Sequence, residues 1–126
     1  MKKNKYKTDK EIENISIKAK KRNKKIVYCH GVFDLLHLGH IKHFKEAKSH
    51  CDILIVSVTA DQFVNKGPNR PAFDQYQRME ALESVRYIDY VVLSKEFSSK
   101  NIINKLKPNI YFKGPDYKNN SKDLTK

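Results

Sequence analysis

The chain has 126 residues, enough for one domain with a sheet and its covering helices, and its 26 Lys and Arg against 14 Asp and Glu leave a net charge of +12. Lysine supplies 22 of those cations and arginine only 4, so most of the excess reads as solvated surface, and a nucleic-acid partner, which arginine would dominate, is not expected. No apolar run approaches the ~18 residues of a membrane span, the Lys-rich start lacks the apolar core of a signal peptide, and Cys29 and Cys51, with no CxxC, argue against zinc and for core thiols in a reducing cytoplasm.

Residues 1–7 are polar and basic and are expected to be disordered. Thr8-Asp9-Lys10-Glu11 has the form of a capping box, and Ile12, Ile15 and Ala19 follow at helical spacing, so 9–20 reads as a lead-in helix. Together with the basic connector to residue 25 it forms an N-terminal extension, 1–25. Residues 26–29, continuously apolar, read as a strand covered on both faces. Next comes the turn Gly31-Val32-Phe33-Asp34, then a helix over 38–49 with Ile41, Phe44, Ala47 and Lys48 on the face set by His40. Residues 53–58 are a second apolar strand. A loop over 59–70 carries Lys66-Gly67-Pro68-Asn69-Arg70 and leads to a helix over 75–85, N-capped by Asp74, with Met79, Leu82 and Val85 inward. A strand over 90–93, a short helix over 99–106 stopped by Pro108, and a strand over 110–112 complete the alternation. The turn Lys113-Gly114-Pro115-Asp116 follows, and 118–126 reads as a polar tail.

Strands alternating with helices over short connections predict an α/β fold: a parallel sheet of about four strands with helices on both faces. Ligands of such sheets bind at the carboxyl ends of the strands. The Gly31 turn, the Lys66 loop and the Lys113 turn each follow a strand, so all three polar clusters belong to that edge.

His37-Leu38-Gly39-His40 is the most telling of these clusters. A helix start has unpaired N–H groups and a positive dipole, and it binds phosphate. His37 and His40 share one face of the first turn, and Gly39 lets a phosphate approach the backbone. Imidazoles there can donate hydrogen bonds to an α-phosphate as charge builds on it, which suits nucleotidyl transfer, a reaction dominated by positioning and electrostatics. Lys66 and Arg70 suit the β- and γ-phosphates or the acceptor, Arg78 the same pocket, and Asp34 a helix cap or the orientation of a cation. Mg²⁺ is expected to accompany the triphosphate, held mainly by phosphate oxygens and water. His30 reads as strand-end packing, His43 and His50 as helix surface, and Arg86 as the partner of a nearby carboxylate.

The motif Gly31-Val32-Phe33-Asp34-Leu35-Leu36-His37-Leu38-Gly39-His40, the Lys66-Gly67 and Asn69-Arg70-Pro71 loop, Arg78, and Lys113-Gly114-Pro115-Asp116-Tyr117 together resemble the HxGH nucleotidyltransferase superfamily of cytidylyl- and adenylyltransferases. The likeness runs over 26–117. It is strongest to the nucleotidyltransferase domain of the bifunctional heptose-phosphate kinase/adenylyltransferases, with glycerol-3-phosphate cytidylyltransferases next. The resemblance implies a Rossmann-like domain, ATP or CTP with Mg²⁺, and a sugar or polyol phosphate that attacks the α-phosphorus and releases pyrophosphate. It implies catalytic roles for His37, His40 and Lys66. It implies nucleotide binding by Gly31, Val32, Phe33, Asp34, Gly39, Arg70, Arg78, Lys113, Gly114 and Asp116, with the Lys113 turn near the base or ribose. A homodimer is expected by analogy alone. Members of this superfamily continue into a further strand and a helix opened by a Ser-Thr-Thr-like motif, and the polar tail does not recreate it, so the chain is expected to be truncated, a fragment of a longer reading frame, or a reduced relative. The alternative reading is a nucleotide-binding module with little or no turnover. A fragment of a class I aminoacyl-tRNA synthetase is a distant alternative, since no Lys-Met-Ser-Lys-Ser-like loop is present.

Overall fold

The computed structural model describes residues 5–64, 71–96, 99–112 and, as backbone, 121–123. The expected sites at Lys66, Arg70, Lys113, Gly114 and Asp116 lie outside the described residues. Within them the chain runs α1 (Asp9–Lys21), β1 (Ile26–Gly31), α2 (Leu38–Ser49), β2 (Ile53–Thr59), a 3-10 turn at Asp61–Phe63, α3 (Gln75–Glu83), β3 (Tyr90–Ser94), α4 (Lys100–Leu106), β4 (Ile110–Phe112) and β5 (Ser121–Asp123). The sheet order is β3-β2-β1-β4-β5. Strands β1 to β4 pair in parallel, as the alternation predicts. β5 pairs antiparallel with β4, with Phe112 opposite Ser121, and falls within the stretch read as polar tail.

The continuously apolar strands are explained by what covers them. Val27, Cys29, Leu54, Val56, Val58, Val91 and Leu93 face Phe44 and Ala47 of α2 and Met79 and Leu82 of α3. Ile26, Tyr28, Ile55 and Val92 face Ile12 and Ala19 of α1 and Ile102 and Leu106 of α4. Each interior strand therefore buries both rows of side chains. β1–α2–β2–α3–β3 stays on one face. α4 then crosses to the other face and brings β4 back beside β1, so the chain reverses direction across the sheet between β1 and β4, where such folds open their ligand crevice.

Three expectations are corrected here. Residues 5–7 are ordered against β3: Lys7 N donates to Val91 O at 2.9 Å, Val91 N donates to Lys5 O at 3.0 Å, and Glu83 Oε2 accepts from Lys5 N and Tyr6 N. An edge strand presents unpaired backbone groups, and this basic segment pairs them. His43 is buried rather than on the helix surface. The inward face of α2 is His43, Phe44 and Ala47, and the His43 ring stacks on Phe112 at 4.8 Å. Arg86 lies over the ring of Tyr87 at 5.4 Å, and among the described residues no carboxylate pairs with it. Cys29 is buried and Cys51 half-buried, both as free thiols; burial pushes both thiols up, Cys51 to about 11.

Candidate active site

The turn from β1 into α2 gathers Gly31, Val32, Phe33, Asp34, His37, Gly39 and His40 at the carboxyl edge of the sheet. Phe33 has φ 52°, the left-handed region, in a residue with a bulky side chain. Such a conformation costs about 1–3 kcal/mol and persists only when its surroundings enforce it. Here the ring folds back over Gly31, where a Cβ would lie 2.9 Å from Phe33 Cζ, and packs on Phe44 at 5.5 Å and edge-on to His40 at 5.9 Å. Glycine at 31 is thus a requirement of the Phe33 ring.

His37 and His40 form a reciprocal cap. His37 Nδ1 accepts from Gly39 N at 3.0 Å, and His40 Nδ1 accepts from His37 N at 3.3 Å. A ring nitrogen that accepts from a backbone N–H carries no proton, so each imidazole holds its proton on Nε2. The rings are 4.1 Å apart, with His37 exposed and His40 partly so. A Cβ on Gly39 would come 2.8 Å from His37 Cε1, so Gly39 makes room for the imidazole itself as well as for any ligand.

Asp34 and Arg78 have structural tasks that the sequence does not reveal. Asp34 accepts from Ala72 N at 2.8 Å and Phe73 N at 2.9 Å, tying the approach of α3 to the turn, in place of capping α2. Arg78, expected to face nucleotide, is only 1% exposed. Its Nε donates to Phe73 O at 3.0 Å, Nη1 to Val32 O at 2.9 Å and Thr59 O at 2.7 Å, and Nη2 to Asp61 at 2.7 Å. Four of its five N–H donors are thereby committed, and the guanidinium clamps the site's backbone from beneath. Gln75 adds a tie by accepting from Asp61 N at 3.0 Å. Sequence reasoning missed Asp61, Thr59 and Gln75. A buried arginine does demand a carboxylate and several carbonyls, but only the fold says which ones.

Among the described residues, no cluster of three or more His, Cys, Asp or Glu could hold a metal, and no helix is long and apolar enough to cross a membrane. The carboxylates near the turn are already engaged, Asp34 by two backbone N–H groups and Asp61 by Arg78. Among the described residues the turn thus offers no uncommitted pair of carboxylates for a cation.

A family model described as cytidylyltransferase-like matches residues 28–125. The bifunctional protein HldE of a Nitratiruptor species is 46% identical over 110 residues, covering 86% of this chain and 24% of that protein. The chain thus spans about a quarter of the length of that curated relative. Among solved structures, the lipopolysaccharide core biosynthesis protein from Thermoplasma volcanium superimposes with a TM-score of 0.69 at 34% identity, covering 75% of this chain and 78% of that one. A pantoate-beta-alanine ligase from Francisella tularensis, solved with beta-gamma ATP and beta-alanine, superimposes with a TM-score of 0.54 at 25% identity over 72% of this chain and 35% of that one.

Proposed function

Because this chain belongs to the cytidylyltransferase-like family of nucleotidyltransferases, we propose that it transfers a nucleoside monophosphate from ATP or CTP to a sugar or polyol phosphate. A phosphate oxygen of the acceptor attacks the α-phosphorus; the bond from that phosphorus to the α,β-bridging oxygen breaks; pyrophosphate leaves. The observation that carries this reading is the imidazole pair at the start of α2, whose Nδ1 atoms are held by backbone N–H groups and whose protons therefore sit on Nε2.

Two Nε2–H donors beside a helix N-terminus match the charge that grows on the α-phosphate and its bridging oxygen during attack. Because the backbone fixes both rings, little reorganisation is needed when that charge appears. The turn at Gly31, Val32 and Phe33 presents backbone to the phosphates, clamped by Arg78 and by Asp34 through residues 72 and 73. Lys66 and Arg70 are assigned to the triphosphate or the acceptor, and Lys113, Gly114 and Asp116 to the base or ribose. Mg²⁺, when bound, supplies charge neutralisation on the triphosphate oxygens.

The test is pyrophosphate release from ATP or CTP with Mg²⁺ and a panel of sugar and polyol phosphates. Release that depends on one acceptor supports the reading. Nucleotide that raises the melting temperature without any release would make the chain a binding module instead.

A further inference from the structure

The carboxyl edge holds a third imidazole that the chemistry above does not use. His30 is the last side chain before the Gly31 turn. It lies on the Tyr28 side of β1, the face covered by α1 and α4, whereas α2 covers the opposite face. Its Nδ1 is 2.6 Å from Ser57 Oγ, and Ser57 Oγ is 2.5 Å from Tyr28 Oη; Ser57 and Tyr28 are fully buried. Among the described residues its Nε2 is engaged by Thr59 Oγ1 alone, at 3.4 Å. The ring is thus gripped firmly at one nitrogen and loosely at the other, in a partly buried position. Burial pushes its titration down to about 4, with the Glu96 carboxylate acting weakly in the other direction, so the ring is neutral near pH 7.

We propose that His30 Nε2 receives a hydroxyl of the acceptor's sugar or polyol portion and so determines acceptor specificity, an inference that rests on the transfer reaction above. The direction of the Tyr28–Ser57–His30 chain leaves Nε2 either as donor or as acceptor. A hydroxyl satisfies both cases, while a phosphate dianion only accepts and would prefer a cation. Position favours the second substrate over the nucleotide. Sheets of this order open their crevice between β1 and β4, whereas the partners of His30, Ser57 and Thr59, belong to β2, and Glu96 follows β3. A group that reaches Nε2 therefore lies over the ends of β1, β2 and β3, on the side left to the second substrate.

Two substitutions separate the two nitrogens. His30→Asn keeps an amide near the Nδ1 position, within reach of Ser57, and offers nothing at Nε2. His30→Gln does the reverse. We expect His30→Asn to raise the acceptor KM about ten-fold and to erase discrimination against the deoxy analogue lacking the bound hydroxyl. The triphosphate KM and kcat should stay within about two-fold, and His30→Gln should recover part of the discrimination. An unchanged acceptor KM in His30→Asn, or a parallel rise in triphosphate KM, overturns the proposal.

A second measurement needs neither turnover nor a variant. In the full chain labelled with ¹⁵N-histidine, sugar phosphates should move the His30 Nε2 resonance, and ATP or CTP alone should leave it in place. A shift with an acceptor that never yields pyrophosphate sinks the transfer reaction and keeps this contact. Pyrophosphate release with an unmoved His30 signal, or no response to any sugar phosphate, sinks this contact.

Discussion

The starts of α1 and α2 are built on the same pair of hydrogen bonds and from opposite chemistry. At α1, Thr8 accepts from Glu11 N at 3.2 Å, and Glu11 accepts from Thr8 N at 2.9 Å. α3 repeats the device with Asp74 and Gln77. At α2 the same reciprocal positions belong to His37 and His40, whose rings are bulky and stand outside the favoured capping residues. The first turn of α2 also contains no acidic residue to meet the helix dipole. Two helices thus begin in the way that best stabilises a helix. α2 instead begins with two imidazoles beside the positive end of its dipole. Departures from local stability rules of this kind are expected where function has taken precedence.

The harshest way to break the comparison is to remove the support that only α2 has. The start of α1 is self-contained, whereas the turn before α2 rests on Arg78. Arg78→Met would strand the carbonyls of Val32, Phe73 and Thr59 and leave Asp61 unpaired. We expect about 2–3 kcal/mol less stability in denaturant unfolding, from the carbonyls left without a donor, with nucleotide binding lost alongside it. A loss under ~1 kcal/mol would mean that the clamp is dispensable.

Next come the imidazoles themselves. His37→Ala and His40→Ala should each lower pyrophosphate release about 10²–10³-fold, or ~3–4 kcal/mol of transition-state stabilisation. The double variant should lose less than the product, because the rings act as a unit. Activity within two-fold of the parent would show that the pair is only a cap.

How much of this was legible beforehand follows from range. Thr8–Glu11, Asp74 and the apolar strands are local patterns, and the helices and parallel sheet follow from them. The His37–His40 start was legible because three-residue spacing on a helix places side chains together by itself. Arg78 was not, because its partners Val32, Thr59 and Asp61 come from the ends of two other strands. His43 was misplaced by roughly one residue of helix rotation, since its burial depends on Phe112, 69 positions away in the chain. Residues 5–7 looked unstructured because nothing in a short basic run announces that Val91 needs a backbone partner.

Acid acts on the two imidazoles that burial keeps from charging, His30 and His43. His30 titrates at about 4 in the folded chain and His43 is also pushed down, both by burial. In the unfolded chain each binds its proton near pH ~6.5. Between these values the unfolded state holds more protons, so stability is complete above ~6.5 and declines as pH falls toward 4. From His30 alone the unfolding free energy should drop by ~2 kcal/mol between pH 7 and pH 5, and His30→Asn should flatten that slope. A slope unchanged by the substitution would assign the pH dependence to other groups.

The mildest change is the most discriminating, because it exchanges one chemistry for the other without disturbing the fold. Thr8→Ala at α1 should cost about 1 kcal/mol in thermal or denaturant unfolding and leave catalysis untouched. His37→Asp at α2 should move stability the opposite way, by up to ~1 kcal/mol. A carboxylate is a favoured cap, and it meets the dipole. The same carboxylate would repel a phosphate placed at this helix start by the proposed transfer, so the more stable protein should release little or no pyrophosphate. If His37→Asp instead lowers stability, the imidazole cap is the better cap here and the contrast between α1 and α2 is one of sequence without consequence. If it raises stability and keeps activity, the helix start is not where the phosphate sits.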